Sequence, residues 1–493
     1  MTLAATGFVD FALRHGLWIV FVFMFGACVG SFANVVVWRM PRGMSLSNPP
    51  SRCPTCGGRL RFFRENLPIL GWLFLRGKCR FCAARISPVY PLVELAFAVG
   101  FLLLYVFLFV LDQRSLLVVT GGDWWTWQRF ALAWPAYSII ALLFSSLAVM
   151  TVIDARTFLI PIAIPTFITA AALVLWAAQA LFARSVPVLP EAWPLPGVGW
   201  VAAGVGVGGL MGVLVSTVLL RIGLLRYSFA DYEDYLRPDH PIADYPHARR
   251  EMWVEVGFLL GPILGMVLGG SLAYLLWGSG EVPPLWIQAV GGSLLGWLVG
   301  GGLVWGVRIL GTLGFGREAM GLGDVHLLAA VGAVFGWFMP ILIFFVAPFL
   351  GLLWTLVTYV AARMRGGVPR ELPYGPHLAV ATLLVFAGQS LVLEGWRVLL
   401  PTVEMPRGEL LNDVDDRSGW TGSREAVPMV FETSARRADQ IVDVERRPPH
   451  VCSCADHCDV LRPDSFCDRL RDSGSERSNV SAGAGEHRAP RPT

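Results

Sequence analysis

Two aspartates stand at the ends of apolar segments, where a charged side chain is costly. Asp154 closes one apolar run, and Asp324 completes the sequence GLGD at positions 321–324, directly before another. Ionisable groups at membrane depth are rare and usually functional. Two neighbouring carboxylates cannot both ionise cheaply, so they share a proton, and such a pair can act as general acid and general base. We therefore expect a catalytic dyad for hydrolysis, with no separate role assignable to either carboxylate.

Each aspartate also has a structural interpretation when it is taken alone. Asp154 could be a residue at the end of a span among lipid headgroups, and Asp324 could be an ordinary helix N-cap. The surroundings of Asp324 favour a site. Gly321 and Gly323 allow close backbone approach and room for an extended substrate, and His326 follows two residues after the aspartate.

Two CxxC pairs stand near the N-terminus with 22 residues between them, formed by Cys53, Cys56, Cys79 and Cys82. Paired knuckles of this kind can hold Zn²⁺ through four thiolates, and metal binding then supplies folding energy that so short a segment lacks. The alternative is two disulfides, which a reducing cytoplasm disfavours. Four further cysteines near the C-terminus fit no standard metal-site spacing.

These residues are set among apolar runs. The chain of 493 residues is 55% hydrophobic and 15% charged, whereas about a quarter of a soluble protein is charged. Most runs approach the ~20 residues that cross a bilayer, so the sequence predicts an all-α polytopic membrane protein of about ten transmembrane helices with a small zinc-ribbon-like module. The ten runs are Leu17–Val37, Pro91–Leu111, Phe130–Ile153, Ile162–Phe182, Val198–Leu220, Trp253–Trp277, Trp286–Leu310, Val325–Phe338, Ile341–Ala362 and His377–Leu393.

Charge distribution predicts the orientation and the domains. Ten Lys and Arg residues crowd between the first two runs, which places that segment in the cytoplasm by the positive-inside rule. Alternating spans then bring both aspartates to the cytoplasmic side. The predicted parts are 1–38 (N-terminus and first span), 39–90 (cysteine module), 91–395 (transmembrane core) and 396–493, a polar tail that reads as disordered.

The ordered motifs resemble the type IV prepilin peptidase family, the intramembrane GxGD aspartyl proteases, over most of residues 17–395. The resemblance rests on the opening span, the cysteine pairs, both aspartate motifs and a later PxGP-type turn. In order, these are Gly26–Asn34, Arg39–Pro41, Cys53–Cys56, Glu65–Pro68, Gly77–Cys82, Ile86–Glu94, Asp154–Pro161, Gly321–Asp324 and Pro373–Pro376.

The resemblance implies an activity and a location. It implies removal of a basic leader from prepilin or pseudopilin precursors, for pilus assembly or type II secretion, at a site facing the cytoplasm in the bacterial inner membrane. It also implies S-adenosylmethionine-dependent N-methylation of the new N-terminus, an activity associated with the cysteine module. The implied partners are these precursors and the lipid bilayer, and no nucleic acid.

Two departures from the family pattern stand out. Residues 197–278 form an inserted hairpin of two spans, either a docking element or a tolerated insertion, and its even number of spans keeps Asp324 on the same side. Position 326 is histidine where the family commonly has lysine. Because histidine is charged only when protonated, we predict a shifted pH optimum.

Two other function classes explain part of the sequence. A transporter would use paired intramembrane carboxylates as a proton relay, but such proteins generally contain inverted repeats, and none is evident. A non-catalytic scaffold built on the cysteine module would leave the GxGD sequence and the two same-side aspartates unexplained.

Overall fold

The structure is a computed structural model that describes residues 2–53, 55–61, 64–111, 124–182, 197–235, 245–278, 280–365 and 373–388. These residues all belong to one compact unit, Met1–Gly419. The tail for which disorder was predicted, with its four cysteines, lies outside the described residues.

Helices make up almost all regular structure in the described ranges. They are α1 (Thr2–Arg39), α2 (Leu70–Phe74), α3 (Val89–Phe109), α4 (Trp124–Thr157), α5 (Ala163–Phe182), α6 (Trp200–Arg221), α7 (Ala248–Trp277), α8 (Leu285–Phe315), α9 (Leu322–Phe335), α10 (Phe338–Arg365) and α11 (Gly375–Ala387). Two isolated β-bridges, both in the cysteine module, are the remaining extended pairings of the described chain.

Eight helices among the described residues are long and apolar enough to cross a bilayer, and α9 and α11 are shorter apolar helices. Together they coincide with the ten apolar runs, so the predicted all-α fold is confirmed. The 14 residues of α9 extend only about 21 Å, against about 30 Å for a hydrocarbon core. The chain is a multi-pass membrane protein in which α9 is a buried helix, shorter than the hydrocarbon core is thick.

Close helix packing buries α9. A Cβ built on Gly296 of α8 would lie 2.0 Å from the carbonyl oxygen of Gly332. The two backbones therefore touch, as is usual where small residues line a membrane helix interface. Ser293 Oγ donates to Ala333 O at 2.6 Å and Trp176 Nε1 donates to Val334 O at 3.0 Å. These contacts fix α9 against α8 and α5.

The predicted hairpin insertion is also a tightly packed helix pair. Glycines four residues apart on α6 meet glycines four residues apart on α7, and Cβ atoms built on Gly208 and Gly265 would lie 2.0 and 2.1 Å from the opposing glycine's carbonyl oxygen. The outer face of α7 is apolar and exposed, as at Leu264 and Leu275. Such a face is suited to lipid contact.

Candidate active site and metal centre

Asp154 and Asp324 come from helix ends that the fold brings together. Asp154 lies in the last turn of α4 and Asp324 in the first turn of α9. Both are buried, with exposed fractions of 4% and 7%, and their carboxylates interact electrostatically. The chain therefore holds both carboxyl groups away from bulk water, each at a helix end.

Each aspartate departs from its simpler structural interpretation. The N-cap of α9 is Gly321, in extended conformation, and Asp324 lies inside the first turn. Asp154 is buried rather than exposed at a span end. Its helix stops three residues later, and the next residue, Phe158, has a φ of 56°. That left-handed residue ends the helix one turn after Asp154.

One isoleucine joins the three motifs around the carboxylates. A Cβ built on Gly323 would lie 2.8 Å from Ile160 Cβ, and one built on Gly375 would lie 3.1 Å from Ile160 Cδ1. The same Cβ on Gly375 would lie 2.5 Å from Asp154 Oδ2. Glycine is therefore required at positions 323 and 375 because three backbone segments meet there with no space for a side chain.

Two further residues lie within electrostatic reach of Asp324 and were not predicted as site residues. Arg308 of α8 and Tyr374, which precedes α11, each interact electrostatically with it. Arg308 is 2% exposed, and its position inside the apolar run Trp286–Leu310 was the sequence signal for a functional charge. His326 is half-buried on α9, and it is not among the described charged groups that act on Asp324.

The four predicted metal ligands converge. Their sulfur atoms all lie within 4.8 Å of one another, with Cys53 Sγ 3.8 Å from Cys82 Sγ and Cys56 Sγ 3.9 Å from Cys79 Sγ. A tetrahedral metal site with bonds of about 2.3 Å requires sulfur separations of about 3.8 Å, whereas a disulfide is about 2.0 Å long. The cluster is thus able to bind a metal ion, and the alternative of two disulfides is wrong.

The two knuckles have matching backbones. Cys53 N donates to Gly58 O at 2.9 Å, and Cys79 N donates to Ala84 O at 2.8 Å. Gly57 and Ala83 occupy equivalent positions with φ of 71° and 55°, and one β-bridge flanks each loop. The two cysteine pairs therefore lie on the same kind of local turn, and their sulfur atoms face a common point.

Two glutamates hold the cysteine module in place, one through a contact with α3 and one through contacts within the module. Glu94 of α3 accepts a hydrogen bond from Ile69 N at 2.6 Å. Buried Glu65 accepts from Arg61 N at 3.1 Å and pairs with Arg80 at 3.1 Å. The module is thus attached near the N-terminal end of α3.

Comparison with known proteins points to one family. Residues 24–108 match the family described as Bacterial Peptidase A24 N-terminal domain. A prepilin leader peptidase/N-methyltransferase from Dickeya chrysanthemi is 26% identical over 406 residues, covering 77% of this chain and 95% of that protein. Over most of its length the chain is similar to proteins named prepilin leader peptidase/N-methyltransferase. This confirms the family resemblance inferred from the motifs.

Similarity to other leader peptidases is higher but confined to a short segment. The Myxococcus xanthus prepilin leader peptidase/N-methyltransferase is 54% identical over 79 residues, 16% of this chain and 23% of that protein. A type 4 prepilin-like proteins leader peptide-processing enzyme from Escherichia coli is 44% identical over 96 residues, 35% of its length. In these two cases the match spans well under half of the relative. No solved structure gives a significant match.

Proposed function

We propose that this chain is an intramembrane aspartyl endopeptidase that removes the basic leader from pilin-like precursors. The observation that carries the proposal is the burial of Asp154 and Asp324, two carboxylates from different helices whose motifs meet at Ile160. The names of the relatives support the substrate class. We propose the bacterial inner membrane as the location, with the dyad facing the cytoplasm and the product serving pilus assembly or type II secretion.

The dyad would hydrolyse a peptide bond with one shared proton. One carboxylate removes a proton from water as the oxygen attacks the scissile carbonyl carbon. The other carboxyl donates its proton to the carbonyl oxygen, which gives a tetrahedral diol. As the C–N bond breaks, the first carboxyl passes the proton that it took from water to the leaving amine, and the second carboxylate takes a proton from a diol hydroxyl. The products are a leader with a free carboxylate and a mature protein with a free amino group, and the dyad regains one proton.

The surrounding backbone supports this chemistry. The extended Gly321 lies three residues before Asp324 and is exposed, so an extended substrate segment has room beside the carboxylate. Gly323 and Gly375 bring the two motifs into contact through Ile160. Holding both acids in one geometry is the main way that such a site lowers the barrier.

The cysteine module would bind a structural zinc ion. The sulfur separations fit a tetrahedral site closed by four thiolates, with no position left for substrate. We propose that the module serves N-methylation of the new amino group, an activity named in several relatives. S-adenosylmethionine would supply the methyl group.

The test is leader cleavage by the full chain in membranes. Wild type is compared with Asp154→Asn and Asp324→Asn at equal expression, using a pilin-like precursor and a version with its cleavage-site glycine altered. Cleavage by wild type and its loss in both variants would support the proposal. Continued cleavage by either variant would contradict the dyad, and proton transport or binding without cleavage would favour the transporter or scaffold interpretations.

A further inference from the structure

A buried ion pair connects the α6–α7 hairpin to the helix that precedes Asp324. Glu255 of α7 is 4% exposed, and its carboxylate accepts hydrogen bonds from Arg308 Nη2 at 3.0 Å and from Arg308 Nε at 3.2 Å. Trp305 Nε1 donates to the same carboxylate at 2.7 Å. Both oxygen atoms of the Glu255 carboxylate therefore accept hydrogen bonds from side chains of α8.

The other side of the same guanidinium holds the segment between α8 and α9. Arg308 Nη1 donates to the side chain of Glu318 and to the main-chain carbonyl of Met320. Met320 is followed at once by Gly321, the N-cap of α9. One arginine thus connects the hairpin to the last residue before the GLGD sequence.

The hairpin makes two further contacts near this segment. Arg249 of α7 donates to the carbonyl oxygens of Leu313 at 2.9 Å and Gly314 at 3.1 Å, where α8 ends. The ring of Phe229, in the segment between α6 and α7, lies 5.3 Å from Arg308 Cζ. The hairpin therefore supports the end of α8 as well as the segment that follows it.

We infer that the α6–α7 hairpin is a brace for the second aspartate, with Glu255 as a positioning residue that acts through Arg308. A buried arginine needs a hydrogen-bonded anionic partner, because an unpaired buried charge is strongly destabilising. With Glu255 in place, Arg308 is held where it can bind Met320 O and act on Asp324. A brace is a third role for the hairpin, distinct from the docking element and the tolerated insertion considered from the sequence. The catalytic part of the inference rests on the proposed function.

The first test compares Glu255→Gln with Glu281→Gln. Glu281 is an exposed residue between α7 and α8, so its variant is a matched control. Amide hydrogen exchange is measured on the full chain in lipid nanodiscs, with peptides that cover residues 316–321. We expect exchange there to rise roughly tenfold in Glu255→Gln only, since the amide keeps the shape of the carboxylate and loses its charge.

Precursor cleavage by the same samples separates positioning from simple instability. Misplacement of a catalytic group lowers the rate of reaction of bound substrate. We therefore expect kcat to fall about tenfold or more while KM changes less than about threefold. A fall in kcat that merely matched a loss of folded protein, or a change confined to KM, would overturn the positioning role.

A second variant guards against misfolding of the single substitution. Glu255→Leu combined with Arg308→Met removes both charges, and apolar replacement of a whole buried pair is often neutral for folding. This protein should keep the stability of wild type yet show raised exchange over residues 316–321. Unchanged exchange in both Glu255 variants would overturn the inference. If exchange rises but even wild type cleaves no precursor, the brace stands and the proposed function fails.

Discussion

Gly375 lies directly against the carboxylate of Asp154, because a Cβ built on this glycine would be 2.5 Å from Asp154 Oδ2. Real Cβ atoms are essentially never found so close to another atom, so Gly375→Ala must displace either the carboxylate or the start of α11. We expect kcat/KM for precursor cleavage to fall by about a hundredfold, as for other small misplacements of catalytic groups. Expression and membrane insertion should remain near wild type.

Gly302→Ala is the matched control for this substitution. Gly302 is exposed on α8, and a Cβ built there would meet nothing within 4 Å. Alanine favours a helix interior by roughly 0.5–1 kcal/mol over glycine, so this variant should be fully active and no less stable. Equal losses in the two variants would show that the effect at position 375 does not come from Asp154.

Much of this fold could be predicted from the sequence because the bilayer imposes length and polarity on every span. All ten apolar runs are helices, although α9 is too short to cross a membrane alone. Its burial depends on the close approach of Gly296 and Gly332, which hydropathy does not encode. The cysteine site could be predicted more fully, because the spacing of the two CxxC pairs is enough to identify all four candidate ligands.

The candidate site was only partly predictable. Charge and position singled out Asp154 and Asp324 as candidates, but the sequence could not reveal that Gly323 and Gly375 both pack on Ile160 or that Gly375 lies against Asp154. Arg308 was visible as a charge inside an apolar run. Its partner Glu255 lies on another helix 53 residues earlier, and only the packing of α7 on α8 makes that pairing.

The four-cysteine cluster gives a prediction about metal content. We expect about one zinc ion per purified chain, with four sulfur ligands at about 2.3 Å by X-ray absorption. Cys79→Ser should lower the zinc content and unfold the module, since metal binding supplies much of the folding energy of such sites. Methyl transfer should fall further than leader cleavage, because the dyad lies in separate helices.

Cys28→Ser provides the control for thiol loss as such. Cys28 is an exposed single cysteine of α1, outside the cluster. Its substitution should leave zinc content and both activities unchanged. A zinc-free wild type with full activity would contradict a structural metal at this site.

Close packing of the hairpin gives a prediction about stability. A Cβ on Gly265 of α7 would lie 2.1 Å from Gly208 O, so Gly265→Val must push α6 and α7 apart. We expect a loss of several kcal/mol, in line with overpacking at a backbone contact, seen as a lower unfolding temperature in detergent. Gly257→Val on the same helix, where nothing lies within 4 Å, should change it far less. Equal losses in Gly265→Val and Gly257→Val would mean that the β-branched side chain itself, rather than the contact between α6 and α7, lowers the unfolding temperature.

The histidine two residues after the GLGD sequence gives a prediction about pH. Histidine at position 326 is charged only at pH values below its own pKa, whereas lysine is charged throughout the working range. His326→Lys should therefore move the pH–rate profile of precursor cleavage. Among the described residues, Asp154 and Arg308 bear the charges that act on Asp324, and a new cation must add to the positive charge that Arg308 already supplies. His326→Gln, which is neutral at every pH, separates the loss of histidine from the gain of charge. A profile that is identical in wild type and His326→Lys would mean that Arg308 alone sets the local charge and that position 326 does not tune the dyad.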